Sequence, residues 1–209
     1  ATLTELVKPG NVAVVTGASS GIGRAAALRW VAAGMHVWML DWDAAELETA
    51  VNMAQKACQN GGTAKAVTVD VSNEAALQKV ADDVFVSHGT VHILFNNAGV
   101  GLGGGALTET STVSKTLGIN FYGPVHGCLA FVPRMKEKGE AGIVINTGSK
   151  QGEHQSRYIF FIGEKQRLLP YSNIFLNHLQ ASPCHLVISP IMFRKPHSSA
   201  IPRDWNTNL

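Results

Sequence analysis

Eight residues, TGASSGIG from Thr16 to Gly23, have the types and spacing needed to hold a phosphate group. They follow an apolar run and precede an alanine-rich stretch typical of a helix. Glycines allow close approach of the backbone to a pyrophosphate, and the free amides and dipole of a helix N-terminus favour the anion. The alternative is a glycine turn with a purely structural role. The residues expected to form the phosphate turn are Gly17, Ser19, Ser20, Gly21, Ile22 and Gly23.

An acidic residue, Asp41, stands 24 residues after Gly17, at the end of the next apolar run. A carboxylate at that place can accept hydrogen bonds from both hydroxyls of an adenosine ribose, and it repels a 2′-phosphate. Positions 18 to 20 and 42 hold no lysine or arginine, although Arg24 weakens the preference slightly. We therefore expect NAD(H) as the ligand, with NADP(H) less favoured. The alternative for Asp41 is a solvated residue at the end of a strand.

Four further motifs follow in order. They are the pair Asp70-Val71, the tetrapeptide NNAG with Asn96, Ala98 and Gly99, then Asn120 in GINFYGPVHG and Ser149 in INTGSKQG. Together with the glycine turn, this ordered set resembles the short-chain dehydrogenase/reductase family over about residues 10–152. The resemblance implies that the first pair contacts adenine and that NNAG stabilises the sheet and lines the ribose.

The same resemblance implies an oxidoreductase that passes hydride between a nicotinamide and the carbon of an alcohol or carbonyl group. In that reading Ser149 hydrogen-bonds the substrate oxygen, and Asn120 holds a water of a proton relay. The expected cofactor is NAD, and the expected partner is a small alcohol or ketone substrate. Homo-oligomers are possible.

The family's proton donor, a tyrosine with a lysine four residues later, is missing from this sequence. It should stand near position 162, where the chain has Ile162, and position 166 is glutamine. None of the three tyrosines has a lysine four residues later. Tyr158 with Lys165 is a poor substitute because of its spacing, and we expect Tyr122 with His126 to serve packing or an interface.

Two functions therefore remain open. The first is an NAD-dependent oxidoreductase with a displaced acid group. The second is a dinucleotide-binding or interaction protein without catalysis, derived from a truncated or alternative transcript.

These motifs can form one site only if a sheet brings the ends of the strands that precede them to a common edge. Short β-branched runs alternate with helix-length segments, a pattern that predicts a single α/β domain with a doubly wound parallel sheet of the Rossmann type. Ligands then bind beyond the carboxyl ends of the strands, where the strand order reverses. The expected strands are residues 11–16, 36–40, 63–69, 91–95 and 142–147. The expected helices are residues 21–33, 44–59, 73–88 and 108–138, the last with an irregular entry.

The composition of the chain changes near Gly152. Residues 1–152 carry 20 of the 21 glycines, whereas residues 153–209 carry five of the eight prolines and four of the eight histidines. We therefore divide the chain into a dinucleotide-binding domain, residues 1–152, and a divergent tail, residues 153–209, in place of the usual catalytic helix and substrate loop.

Three accounts of the tail are open. It is a diverged but folded end, an unrelated replacement, or an aberrant product such as read-through of a retained intron, since Gly152-Glu153 can be encoded with a splice-donor sequence. One run in it, His185 to Pro190, has the pattern of a sixth strand. The substrate, which the family's later loops select, cannot be inferred from this tail.

The charge and the cysteine content of the chain limit the classes of partner and the cellular compartment that we expect. A formal net charge of +2 without lysine or arginine runs argues against nucleic acid, and no long apolar window predicts a membrane partner. The three widely spaced cysteines fit a reducing, cytoplasmic compartment, and the N-terminus lacks the layout of a signal peptide. The histidines form no metal-binding motif, so we expect no metal.

Overall fold

Six strands form one sheet in the order β3-β2-β1-β4-β5-β6. The computed structural model describes residues 2–58, 60–101, 109–148 and 191–193. Of residues 191–193 only the backbone is described. The first five strands are parallel, as expected. The strands are β1 Val12–Thr16, β2 His36–Asp41, β3 Thr63–Thr68, β4 Ile93–Asn96, β5 Gly142–Asn146 and β6 Ile191–Phe193.

Helices follow the strands at the predicted places, and local capping explains where two of them begin. The Asn73 side chain accepts a hydrogen bond from the Ala76 amide at 3.0 Å, and Asp43 caps the preceding helix in the same way. The helices are α1 Leu3–Leu6, α2 Gly21–Ala32, α3 Ala44–Ala57, α4 Glu74–His88, α5 Thr110–Leu117 and α6 Gly123–Lys138, with a π-helical turn, Gly118–Tyr122, between the last two.

The core has two layers, one on each face of the sheet. Alternate residues of β1 point to opposite faces. Ala13 and Val15 pack with α2 and α3, while Val12 and Val14 pack with α4 and α6. Because both faces are covered, β1 is buried along its whole length, which explains its uninterrupted apolar sequence.

The long helix expected at residues 108–138 is divided in the structure. Pro124 has no N–H group, so the carbonyl of Asn120 cannot accept the usual helical bond from the residue four positions later. The chain widens there into the π-helical turn before α6 continues. This division sets the direction of α5 relative to α6.

The direction of the last strand, β6, departs from the fully parallel sheet that the sequence predicted. β6 pairs antiparallel with the first half of β5. The sixth strand that the sequence suggested at residues 185–190 lies outside the described residues, as do Tyr158 and Lys165.

His92 joins three strands at the amino edge of the sheet. Its Nδ1 accepts a hydrogen bond from the Val12 amide at 3.0 Å, so its Nε2–H donates to Glu140, 3.1 Å away. Burial lowers the pKa of His92, an effect that Lys8 reinforces and Glu140 opposes. The neutral imidazole is therefore the form of His92 that makes both hydrogen bonds, to the Val12 amide and to Glu140.

Candidate functional site

The phosphate turn lies between β1 and α2, beyond the carboxyl end of the sheet. Gly17 and Gly21 have φ of +66° and +52°, in the left-handed region that favours glycine. A Cβ at Gly23 would lie 2.1 Å from the Gly17 carbonyl oxygen, so only glycine lets the turn close. Around the position of a Cβ at Gly21, by contrast, no heavy atom outside the adjacent residues and the local helix backbone lies within 4 Å. This open space above the backbone suits a phosphate group.

The carboxylate of Asp41 faces the phosphate turn. Its Oδ2 accepts a hydrogen bond from the Ser19 amide at 3.0 Å, and its Oδ1 accepts one from the Asp43 amide at 3.2 Å. A carboxylate has about four acceptor sites, so these two bonds orient the group and leave acceptor capacity for ribose hydroxyls.

Asn97 and Ala98, after β4, tie that loop to the phosphate turn. Both amides donate to the Thr16 hydroxyl, at 2.9 and 3.0 Å. The Asn97 side chain also donates to the carbonyls of Thr16 and Gly17. These bonds cross the point where the strand order reverses between β1 and β4, and they fix the two loops that flank the cleft.

Asn96 lies beneath the cleft rather than on its surface. It is 1% exposed, and its Nδ2 donates to the Asn146 side chain at 2.9 Å, which joins β4 to β5. A Cβ at Gly127 in α6 would lie only 2.3 Å from its Oδ1. Burial raises the pKa of the neighbouring Cys128 thiol, partly offset by a hydrogen bond from Asn96.

Asp70 and Val71 form the wall next to Asp41. The Asp70 Oδ1 accepts hydrogen bonds from the backbone amide and hydroxyl of Ser72, at 2.9 and 2.8 Å. Val71 is buried against Gly123, where a Cβ would lie 2.8 Å from its Cγ2. The wall therefore combines a fixed polar turn with an apolar side chain.

These elements surround a cleft of about 470 Å³. Most of the residues predicted from the sequence line it. Gly23, Asn96 and Asn120 do not, and Ser149 lies outside the described residues. The residues that line it are Gly17, Ser19, Ser20, Gly21, Ile22, Asp41, Trp42, Val69, Asp70, Val71, Asn97, Ala98, Gly99, Val100 and Ile119.

Sequence reasoning missed Trp42, Val69, Asn97, Val100 and Ile119 as lining residues. Trp42 directly follows Asp41, and Asn97 is the second residue of NNAG, so their positions beside predicted site residues were the available signal. Ile119 likewise directly precedes the predicted Asn120, and it is the π-helical turn that brings Ile119 to the cleft.

The side chain of Asn120 is fully engaged with the loop after β4. Its Oδ1 accepts a hydrogen bond from the Val100 amide at 2.8 Å, and its Nδ2 donates to the Val100 carbonyl at 2.9 Å. The backbone carbonyl of Asn120 lacks the donor that a regular α-helix would supply four positions later, because that residue is Pro124.

Tyr122 and His126 lie away from the cleft. Tyr122 is 51% exposed and its ring stacks on His126, with centroids 6.0 Å apart. One ring nitrogen of His126 lies 3.1 Å from the Val71 carbonyl. This arrangement agrees with packing rather than chemistry.

Within residues 2–58, 60–101, 109–148 and 191–193, no group of three or more potential ligands is placed to hold a metal ion. None of the helices in this described part is long and apolar enough to cross a membrane.

The fold and the cleft define a Rossmann-type α/β protein, with a phosphate turn and an acidic residue at the point where the strand order reverses. A family model described as short chain dehydrogenase matches residues 11–160. The chain belongs to the short-chain dehydrogenase family, whose members are oxidoreductases that bind a nicotinamide dinucleotide.

Individual relatives agree with this assignment. The protein called "Probable oxidoreductase EphD" from Mycobacterium tuberculosis is 38% identical over 137 residues, which are 65% of this chain and 22% of that protein. The chain thus spans less than a quarter of this curated relative.

Two solved structures show both forms of the dinucleotide. A family member from Burkholderia phymatum in complex with NAD has a TM-score of 0.63 and 38% identity, over 69% of this chain and 50% of that one. A metagenomic short-chain oxidoreductase in complex with NADP has a TM-score of 0.65 and 34% identity, over 70% of this chain and 66% of that one. The family alone therefore leaves the choice between NAD and NADP open.

Proposed function

We propose that this protein binds NAD(H) in the cleft and transfers hydride to or from a small alcohol or carbonyl compound. The observation that carries the proposal is the pairing of the open phosphate turn with the Asp41 carboxylate at the rim of one cleft. When bound, the dinucleotide supplies the redox chemistry at its nicotinamide. The described residues bind it and fix its orientation.

The preference for NAD over NADP rests on the charge of Asp41. Its carboxylate is held by the Ser19 and Asp43 amides, so it cannot turn away from a ribose without breaking both bonds. A 2′-phosphate would meet this fixed negative charge at close range. The guanidinium of Arg24 is engaged with the Ser19 carbonyl at 3.3 Å and would have to leave it to compensate.

The active-site groups that this chain would contribute are Ser149 and Asn120. Ser149 stands three residues after the end of β5 in the sequence, and it would donate a hydrogen bond to the substrate oxygen. Asn120 would hold a water through its backbone carbonyl while its side chain fixes the loop at Val100.

A second candidate is a dinucleotide-binding protein without catalysis. The observation that favours it is the sequence itself, which contains no tyrosine with a lysine four residues later. In this case the cleft would bind NAD(H), and no group near Ser149 would exchange a proton with substrate.

Titration of NADH and NADPH, followed by nicotinamide fluorescence, tests the binding step. We expect NADH to bind more tightly, and an Asp41→Ser variant to lose that preference. Turnover with a panel of secondary alcohols and ketones then separates the two candidates. Turnover that is lost in Tyr158→Phe supports the oxidoreductase with a displaced acid, whereas binding without turnover supports the second candidate. A folded protein that binds neither nucleotide refutes both.

A further inference from the structure

The indole of Trp42 lies at the rim of the cleft, where it is 47% exposed. It directly follows Asp41, whose carboxylate faces the phosphate turn. The wall of Val69, Asp70 and Val71 lines the same cleft. A flat aromatic ring beside the apolar side chains of Val69 and Val71 offers a surface on which a purine base can stack.

Lys115 in α5 contacts this indole from another element of the fold. Its ammonium lies 4.9 Å from the centroid of the Trp42 ring, within the range of a cation–π interaction. Among the described residues, no carboxylate forms an ion pair with Lys115, and its ammonium contacts the Trp42 ring instead. Trp42 lines the cleft whereas Lys115 does not.

The position of α5 makes this contact possible. The helix runs into the π-helical turn, whose Ile119 lines the cleft. Gly118 lets that turn approach the loop after β3, since a Cβ there would lie 3.3 Å from the Cβ of Ser72. The contact between Lys115 and Trp42 therefore joins the segment after β2 to the segment that carries Ile119, across the rim of one cleft.

We propose that Lys115 is a positioning residue for the purine half of the dinucleotide, acting through Trp42. This inference rests on the proposed function. An exposed tryptophan that turns freely must be ordered when a base stacks on it, and this ordering weakens binding. The ammonium holds the ring at the rim before the ligand arrives. The nicotinamide half, which lies beyond the pyrophosphate, gains nothing from this contact.

The experiment measures binding of ADP-ribose, which keeps the purine half and lacks only the nicotinamide base, and of nicotinamide mononucleotide, which lacks the purine half. Calorimetric titrations use the full chain and the variants Lys115→Met and Lys115→Arg. Lys79→Met is the matched control, because Lys79 is an exposed lysine on α4 outside the cleft. We expect Lys115→Met to weaken ADP-ribose about two- to fivefold, the size of an exposed cation–π contact. Lys115→Arg and Lys79→Met should leave it unchanged, and mononucleotide binding should not respond.

A double-mutant cycle separates positioning of Trp42 from simple attraction between an ammonium and an anionic ligand. In a Trp42→Leu background, Lys115→Met should cause no further loss of ADP-ribose affinity. An equal loss in both backgrounds would overturn the inference, because the lysine would then act on the ligand's charge.

Thermal unfolding of each variant shows that the fold is intact. If the wild type binds ADP-ribose and Lys115→Met binds it with the same affinity, this inference is overturned and the proposed function is not. A folded wild-type chain that binds neither ADP-ribose nor NADH overturns the proposed function and this inference with it.

Discussion

Replacing Gly127 by alanine tests how tightly α6 packs on the buried side chain of Asn96. The new Cβ would lie 2.3 Å from Asn96 Oδ1, too close for any real contact. Asn96 is 1% exposed and bonded to Asn146, so moving it strains or breaks a buried hydrogen bond. Overpacking and the damaged bond each cost about 1–3 kcal/mol. Alanine regains about 0.5–1 kcal/mol over glycine inside a helix.

The expected net loss is about 1–5 kcal/mol in the free energy of unfolding. Each kcal/mol lowers the Tm of a chain of this size by roughly 2–4 °C. Urea denaturation followed by circular dichroism measures it. In an Asn96→Ala background the amide is gone, so the same Gly127→Ala change should stabilise the protein by about 0.5–1 kcal/mol. The sign of the effect therefore reverses between the two backgrounds.

Gly89→Ala is the control for this cycle. Gly89 has φ +74° and open space around a Cβ, so its substitution should cost about 1–2 kcal/mol in either background. If Gly127→Ala costs the same with and without the Asn96 amide, the contact between α6 and β4 is not what requires glycine, and the reasoning fails.

Three further predictions concern the phosphate turn, the ribose site and the amino edge of the sheet. Gly23→Ala places a Cβ 2.1 Å from the Gly17 carbonyl oxygen, and NADH fluorescence titration should show affinity falling at least about tenfold. Asp41→Ser removes hydrogen bonds to a charged acceptor, worth about 1.5–3 kcal/mol, so NADH affinity should fall about 10- to 100-fold while NADPH affinity rises. His92→Gln should lower stability at pH 7.5 and flatten its acid dependence in urea denaturation at several pH values. Because burial lowers the pKa of His92 below 6.5, the wild type loses stability as pH falls from 6.5 towards that lowered pKa.

Each of these predictions has an outcome that contradicts it. Unchanged NADH affinity in Gly23→Ala would mean that the turn tolerates displacement. Parallel losses of NADH and NADPH in Asp41→Ser would remove the electrostatic argument for NAD. Equal acid dependence in wild type and His92→Gln would show that the neutral ring does not support the joint between β1, β4 and β5.

Much of the fold could be predicted because its signals are local. The apolar runs of the five parallel strands reflect burial on both faces, and Asn73 caps α4 at the predicted place. The division between α5 and α6 was not predicted. Pro124 was visible in the sequence, yet whether a proline near a helix start bends, widens or ends the helix depends on what packs around it.

Some features of the candidate site could likewise be predicted from the sequence, and others could not. The residue types around the phosphate turn and at Asp41 were sufficient to predict a dinucleotide site at the strand ends, because glycine conformation and carboxylate charge are properties of single residues. The family resemblance assigned NNAG both to stabilising the sheet and to lining the ribose, and the structure buries Asn96 beneath the cleft, where its bond to Asn146 joins β4 to β5. Such pairings join positions 50 residues apart, which local patterns do not encode.

The sequence by itself determined the order of strands and helices along the chain, the glycine-rich turn after β1 and the acidic residue at the end of β2, since each depends on neighbours within a few residues. Only the tertiary structure decided which residues meet across the cleft: Asn97 with Thr16, Asn120 with Val100, and Lys115 with Trp42. The reason is that parallel strands bring distant segments to a common edge, and the contacts made there follow from packing of the whole sheet.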